Sequence, residues 1–277
     1  FDFAYTRFGA GGVWGGAMRW DMVNNGFGAT PYLPTQTDAG YMTALGVKSL
    51  INIDPINKVD LAKCGDMTTT APRYPCDDQA FVQYVKDGVN AVKATTKYFQ
   101  IHNEPMGAYY WNDTPADDAK FVKLTSDAIH ASCADCKVAL GGMTPDYLSS
   151  VLIALDQQTG SAAASAALYD IVDTHIFGVA DQSAVFQNQI PYFSEKDMIT
   201  AIKTTLSQHA ASGKPIWITE TSSYDGQPVA PNGSGTFPLV SEEMQARDLV
   251  KRLLYPLVNG VSVVLWSQTE DTDPAVP

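Results

Sequence analysis

A chain of 277 residues with 45% hydrophobic content and 17% charge has enough apolar material for one substantial core. No apolar run reaches the roughly 18 residues that a membrane span requires. A formal charge of −12 lacks the clustered Lys and Arg that hold a phosphate backbone, which argues against nucleic acid and leaves a neutral or weakly charged ligand as the easier partner.

Residues 1–16 are rich in glycine and show no helical period, while Ala17 to Val23 can serve as a strand. From about residue 45, β-branched runs alternate with helical patterns. Gly46 ends a helix, and Val47 to Ile53 follows as a strand. Asp77 or Asp78 caps a helix with Phe81, Val82, Val85, Val89 and Val92 on one face. Tyr98 to His102 is a strand and Pro115 to Ser132 a helix. Val138 to Leu140 leads through Gly141-Gly142 to a helix carrying Tyr147, Val151 and Leu155. Tyr169 to His175 is a strand, Glu195 to Ala211 a helix, and Ile216 to Thr219 a strand. A helix capped by Ser241 runs to Val258, and Val261 to Trp266 is the last strand.

This alternation predicts an α/β chain with a parallel sheet, a single domain over 1–277, without a linker or low-complexity segment. The candidates are an open doubly wound sheet and a closed TIM (β/α)8 barrel. No GxGxxG turn opens a helix after a strand, and polar residues at strand ends along the whole chain favour the barrel, which gathers all its strand ends on one face. Both ends fit poorly. Little chain precedes Ala17, and no closing helix pattern follows Trp266. The expectation is a barrel that is irregular or incomplete at both chain ends, read as a piece of a longer protein.

Cys64, Cys76, Cys133 and Cys136 allow three disulfide connectivities. Cys133 and Cys136 have CxxC spacing, but no second CxxC and no His cluster accompanies them, so two local disulfides are preferred to a metal site. Disulfides imply an oxidising compartment, and a secreted protein is expected. Asn112-Asp113-Thr114 and Asn232-Gly233-Ser234 match the N-glycosylation pattern.

Two segments carry the chemistry: His102-Asn103-Glu104-Pro105 and Trp217-Ile218-Thr219-Glu220-Thr221. Each follows a strand and ends on a carboxylate. Strand alternation, counted back from each end, puts Gln100 and His102 on the face of Glu104. It puts Ile216 and Ile218 on the face of Glu220, with Trp217 and Thr219 toward the helices. The same count groups Ile171, Asp173 and His175, and groups Ser262, Val264 and Trp266.

Ile101-His102-Asn103-Glu104-Pro105 resembles the Asn-Glu-Pro motif at strand four of the clan A retaining glycoside hydrolases, and Trp217-Ile218-Thr219-Glu220 resembles their strand-seven nucleophile segment. The likeness extends from about Ala17 to Trp266. It implies Glu104 as general acid/base, Glu220 as nucleophile and Asn103 on the sugar 2-hydroxyl. It also implies Arg19 beside Glu220, Trp266 as the floor of the cleavage subsite, and His175 as the strand-six histidine. Phe177 stands where that family has a tyrosine, and Tyr224 is the candidate to replace its hydroxyl. Trp111, beside Tyr109 and Tyr110 in the loop after Glu104, is the candidate sugar platform; Trp14 and Trp20 lie near other strand ends. Asp21 and Asp173 read as supporting acids.

The expected activity is hydrolysis of a β-linked oligo- or polysaccharide by double displacement, with no cofactor and no metal, because both proton transfer and attack come from carboxylates. The alternative is a catalytically silent carbohydrate-binding barrel in a larger extracellular assembly. A lyase or aldolase barrel is disfavoured for want of a strand-end lysine or clustered His.

Overall fold

The computed structural model describes residues 5–8, 18–23, 31–65, 72–108, 110–177, 184–186, 190–192, 194–222 and 241–267. Its strands are β1 (Tyr5–Phe8), β2 (Met18–Arg19), β3 (Lys48–Asp54), β4 (Tyr98–Ile101), β5 (Lys137–Leu140), β6 (Val172–Phe177), β7 (Ala184–Phe186), β8 (Ile190–Tyr192), β9 (Ile216–Ser222) and β10 (Val261–Trp266). The helices are α1 (Leu33–Ala44), α2 (Lys58–Leu61), α3 (Asp78–Val92), α4 (Pro115–Ser132), α5 (Pro145–Thr159), α6 (Ala162–Ala166), α7 (Glu195–Gln208) and α8 (Glu242–Val258).

Parallel pairing runs β1-β3-β4-β5, with β2 beside the far end of β3, and separately β10-β9-β6. A parallel bridge from Ala139 to Ile171 joins the two sets between β5 and β6. Side chains meet inside this curve: Leu50, Ala139, Ile171, Trp217 and Val263 form a buried cluster with Tyr5, Tyr98 and Leu265 against it. The Tyr5 ring lies 4.9 Å from Trp217 and 5.6 Å from Tyr98. Contact between β1, β4 and β9 requires a sheet that curls on itself, because in a flat sheet these strands lie too far apart. The architecture is a TIM barrel with its helices outside.

Helices α1, α3, α4, α5, α7 and α8 form where expected, while the short α2 and α6 were not anticipated. Asp77 caps α3 by accepting from Ala80 N at 3.0 Å, which contributes about 1 kcal/mol. Phe81, Val85, Val89 and Val92 are fully buried against the barrel, each worth roughly 1.5–3 kcal/mol. Thr114 and Pro115 open α4, and Ser241 caps α8. The disulfides are Cys64–Cys76 and Cys133–Cys136, with Cα atoms 5.7 and 5.3 Å apart. Among the described residues no helix is long and apolar enough to cross a membrane.

Three elements differ from expectation. Residues 5–8 form a strand within the glycine-rich segment, because Tyr5 and Arg7 both point inward and supply the alternation. Only Met18 and Arg19 of the strand expected over 17–23 pair with β3; Trp20–Val23 coils into a 3-10 turn with Trp20 buried against Phe81 and Tyr84. The antiparallel hairpin β7-β8 lies between β6 and α7, where the sequence carries no hairpin signal.

Candidate active site

At the end of β4 the backbone abandons strand alternation. His102 and Glu104 have φ of 39° and 42°, left-handed values that side chains with a Cβ adopt rarely. Gln100 still points into the barrel, but His102 swings outward into the helix layer. There its ring stacks on Trp111 at 4.9 Å and its Nε2 lies 2.6 Å from Asp118 Oδ1. His102 therefore does not share the face of Glu104, as simple counting requires. The second left-handed residue turns Glu104 back over the barrel mouth.

A bulge reorders β9 in the same way. Asp173 pairs with Trp217 and Thr174 with Ile218, but His175 pairs with Glu220, so Thr219 is an extra residue. Below the bulge Trp217 faces the interior, while Ile216 and Ile218 face the helices, the reverse of the expected parity. The bulge lets Thr219 and Glu220 both address the site. On β10 the interior residues are Val263 and Leu265, while Val264 packs with the helix-side core. Trp266 pairs with Thr221 across a register shift from Val264 and is half-buried at the strand end.

The guanidinium beside Glu220 belongs to Arg7, not to Arg19. Arg7 Nη1 donates to Glu220 Oε1, Nη2 to Asn103 Oδ1, and Nε to Gln100 Oε1 at 2.5 Å. Arg19 instead grips Asp21 through Nε at 3.1 Å and Nη2 at 2.7 Å, beside Asp54 at the end of β3. Burial pushes the Asp54 carboxyl up, opposed by the Ile56 N–H and by Arg19.

His175 is buried between the two carboxylates. Its Nδ1 lies 2.8 Å from Glu104 Oε1 and 3.8 Å from Glu220 Oε2. On the other side Nε2 is 3.1 Å from Thr219 Oγ1. Thr219 donates its hydroxyl proton to Asp173 Oδ2 at 2.6 Å, since a carboxylate can only accept, so its oxygen must accept the Nε2–H of His175. Nε2 thus carries a proton, and Nδ1 and Glu104 share the next one. Burial disfavours charge on this ring, but Asp173 and Glu104 outweigh it and raise its pKa to about 9. Asp173 is itself held by Gln100, Gly142 N and Thr219 N. Gly142 is the wall behind the imidazole: a Cβ there would fall 2.4 Å from the ring.

A carboxylate oxygen of Glu104, one of Glu220 and a ring nitrogen of His175 all lie within 4.8 Å of one another. The Glu104 and Glu220 side chains are 21% and 25% exposed, so both are reachable from the barrel mouth. Asn103, Glu104, His175 and Glu220 thus converge, with Arg7 added from a segment the sequence left without a role. Trp111 does not join them: it is 2% exposed and packs between His102 and Phe121, which rules it out as a sugar platform. Phe177 lies edge-on to His175 at 6.4 Å and brings no hydroxyl. Tyr224, Tyr109, Trp14 and Asn232 lie outside the described residues.

Arg7, Thr219 and Gly142 were missed. An arginine two residues along from an inward tyrosine is a faint signal; a bulge and a glycine contact leave none in a single sequence.

No family profile and no curated protein matches this sequence. Solved structures do. The fold is similar to a family 39 glycoside hydrolase from the gut symbiont Bacteroides cellulosilyticus WH2, with a TM-score of 0.65 and 15% identity over 95% of this chain and 49% of that one. It is similar to a glucosidase from Croceicoccus marinus, with a TM-score of 0.62 and 13% identity over 90% and 51%. A structure reported for fungal beta-1,4-galactanases gives 0.56 and 16% identity over 95% and 76%. The chain spans about half the length of the first two. The barrel seen here is therefore the fold of these glycoside hydrolases.

Proposed function

We propose that the chain is a retaining glycoside hydrolase of the clan A type acting on a β-linked glycan outside the cell, with Glu220 as nucleophile and Glu104 as general acid/base. One observation carries this reading: the two carboxylates come within 4.8 Å of each other. Double displacement needs carboxyls about 5–5.5 Å apart, whereas inversion needs roughly 6.5–9.5 Å to admit a water between them. The glycosidase folds it is similar to and the two disulfides support the reading.

In the first step a Glu220 oxygen attacks the anomeric carbon as the glycosidic C–O bond breaks, and the proton shared by Glu104 and His175 passes to the leaving oxygen. Glu220 is then esterified to the sugar and Glu104 is ionised. In the second, Glu104 takes a proton from water, the water oxygen attacks the anomeric carbon, and the ester C–O bond breaks to restore the Glu220 carboxylate. Arg7 holds the attacking carboxylate by a hydrogen bond and, by holding Asn103, aims its amide at the 2-hydroxyl. Arg19, Tyr224 and Trp266 remain candidates for subsites farther from the cleaved bond.

Incubation with 2,4-dinitrophenyl 2-deoxy-2-fluoro-β-glycosides of glucose, xylose and galactose, followed by peptide mass spectrometry, tests the assignment. A fluoroglycosyl ester on the peptide containing Glu220 is expected. Turnover of the parent dinitrophenyl glycosides with an inverted first product, or an adduct on another residue, would overturn it. Phe177 in the tyrosine position favours a silent sugar-binding barrel as the second reading; that barrel would bind oligosaccharide in calorimetry and form no adduct.

A further inference from the structure

The buried hydrogen-bonded pair of His102 and Asp118 behind the acid/base glutamate has no part in the double displacement. His102 and Asp118 are 1% and 0% exposed, and they sit among Trp111 and Phe121. Burying such a pair is costly, and apolar side chains of the same volume fill a core at least as well. What a hydrogen-bonded pair supplies and an apolar one does not is a fixed direction.

That direction is needed at this point in the chain. His102 begins the left-handed turn whose second left-handed residue is Glu104. Its main chain is held from three sides: its N–H donates to Ile53 O at 3.1 Å, its carbonyl accepts from Asn52 Nδ2 at 2.6 Å, and Gly141 lies so close that a Cβ would fall 2.4 Å from the carbonyls of Ile101 and His102. Its side chain is held by Asp118, which the first turn of α4 fixes independently of the site. There the capped helix N-terminus favours a carboxylate. Asp118 accepts the Nε2–H, while Nδ1 finds no partner among the described residues. The ring is thus clamped by one directed bond and by stacking on Trp111.

We propose that His102 and Asp118 are positioning residues, which lock the left-handed turn that presents Glu104 and thereby serve protonation of the leaving group. The proposal rests on the assignment of Glu104 as acid/base. Without the clamp, the turn relaxes toward ordinary negative φ and Glu104 leaves its 2.8 Å contact with His175. The nucleophile, carried by β9 and bonded to Arg7, stays in place.

The defect is therefore selective. Values of kcat/KM report the first chemical step, which needs acid assistance for phenyl β-glycosides and little for 2,4-dinitrophenyl β-glycosides. On the glucose, xylose or galactose series that the protein turns over, Asp118→Ala should lose roughly 10–100-fold with the phenyl leaving group, the loss expected of a displacement near 1 Å. It should stay near the parent enzyme with dinitrophenyl. Asp118→Asn keeps an acceptor oxygen for His102 and should restore most of the phenyl activity. An equal loss on both leaving groups, or no loss at all, overturns the proposal, the first because it marks a general packing defect. Glu104→Ala is the control. If it too is insensitive to the leaving group, the acid/base assignment falls and takes this proposal with it; if it is selective while Asp118→Ala is not, the positioning role alone falls.

Discussion

Arg7 and Glu220 form an ion pair across 213 positions of sequence, and the same guanidinium reaches Asn103 and Gln100. Three acceptors around one planar fork fix its orientation, which a lysine ammonium cannot reproduce. Arg7→Lys should therefore keep a positive charge near Glu220 yet lose roughly 100-fold in kcat/KM, because Asn103 and Glu220 lose their common anchor. Arg7→Ala should lose more and cost about 3 kcal/mol in urea unfolding, the lower end for breaking a buried pair, since Glu220 is partly solvated. Near-normal activity in the lysine variant would show that charge alone suffices.

The same pair shows what a single sequence can and cannot tell. The strand-helix alternation was legible because each barrel strand carries one buried face toward helices: Pro115–Ser132 and Val261–Trp266 are bounded as their caps and apolar runs indicate. The convergence of Glu104 and Glu220 was legible because barrel topology brings strand ends together. Side-chain direction was not. Counting by twos fails at Thr219, where β9 bulges, and at His102, where φ turns positive, and neither event has a signature in residue type. Trp111 was misplaced for a related reason: an aromatic beside polar loop residues reads as exposed until Phe121 and His102 are seen to enclose it. The arginine was sought on β2, but Arg19, opposite Asp54, turns to Asp21, whereas Arg7 on β1 points into the barrel and reaches Gln100, Asn103 and Glu220.

His175 makes both stability and activity pH-dependent. Folding raises its pKa from 6.5 to about 9, so its contribution is complete below about pH 6.5 and is lost as pH rises through 9. The difference corresponds to about 3 kcal/mol. Urea midpoints should fall between pH 7 and 10 in the parent protein and change less in His175→Phe. The same proton is the one shared with Glu104, so the alkaline limb of kcat/KM belongs to the pair rather than to either residue. In His175→Phe that limb should move to lower pH. An unchanged alkaline limb would separate His175 from the proton delivered to the leaving group.

Gly142→Ala probes the wall behind that imidazole. The added methyl would meet His175 Cε1 and Nε2 at 2.4 Å, and ring atoms anchored to Thr219 and Glu104 cannot move aside without breaking one of those bonds. Overpacking of this kind costs typically 1–3 kcal/mol. The catalytic loss should exceed the stability loss: roughly 100-fold in kcat with little change in KM, since the displaced group lies behind the glutamates rather than along the sugar. A KM effect alone would mean that the methyl intrudes on substrate instead.

The two disulfides close loops of different length and should stabilise unequally. Cys64–Cys76 spans a sequence separation of 12 and Cys133–Cys136 only 3. By the chain-entropy relation the longer loop is worth about 3 kcal/mol and the shorter about 2. The longer one also secures the start of α3, since the Cys76 N–H donates to buried Asp60 Oδ2 at 2.7 Å, a bond that a released segment would strain. Cys64→Ser with Cys76→Ser should therefore lower the urea midpoint more than Cys133→Ser with Cys136→Ser. Cys133–Cys136 lies in the α4–β5 connection, at the end of the barrel away from Glu104 and Glu220, so its double variant should retain kcat at temperatures where it remains folded. The reverse order of midpoints would mean that the tight Cys133–Cys136 loop stabilises the α4–β5 connection by native contacts rather than by restricting the unfolded chain.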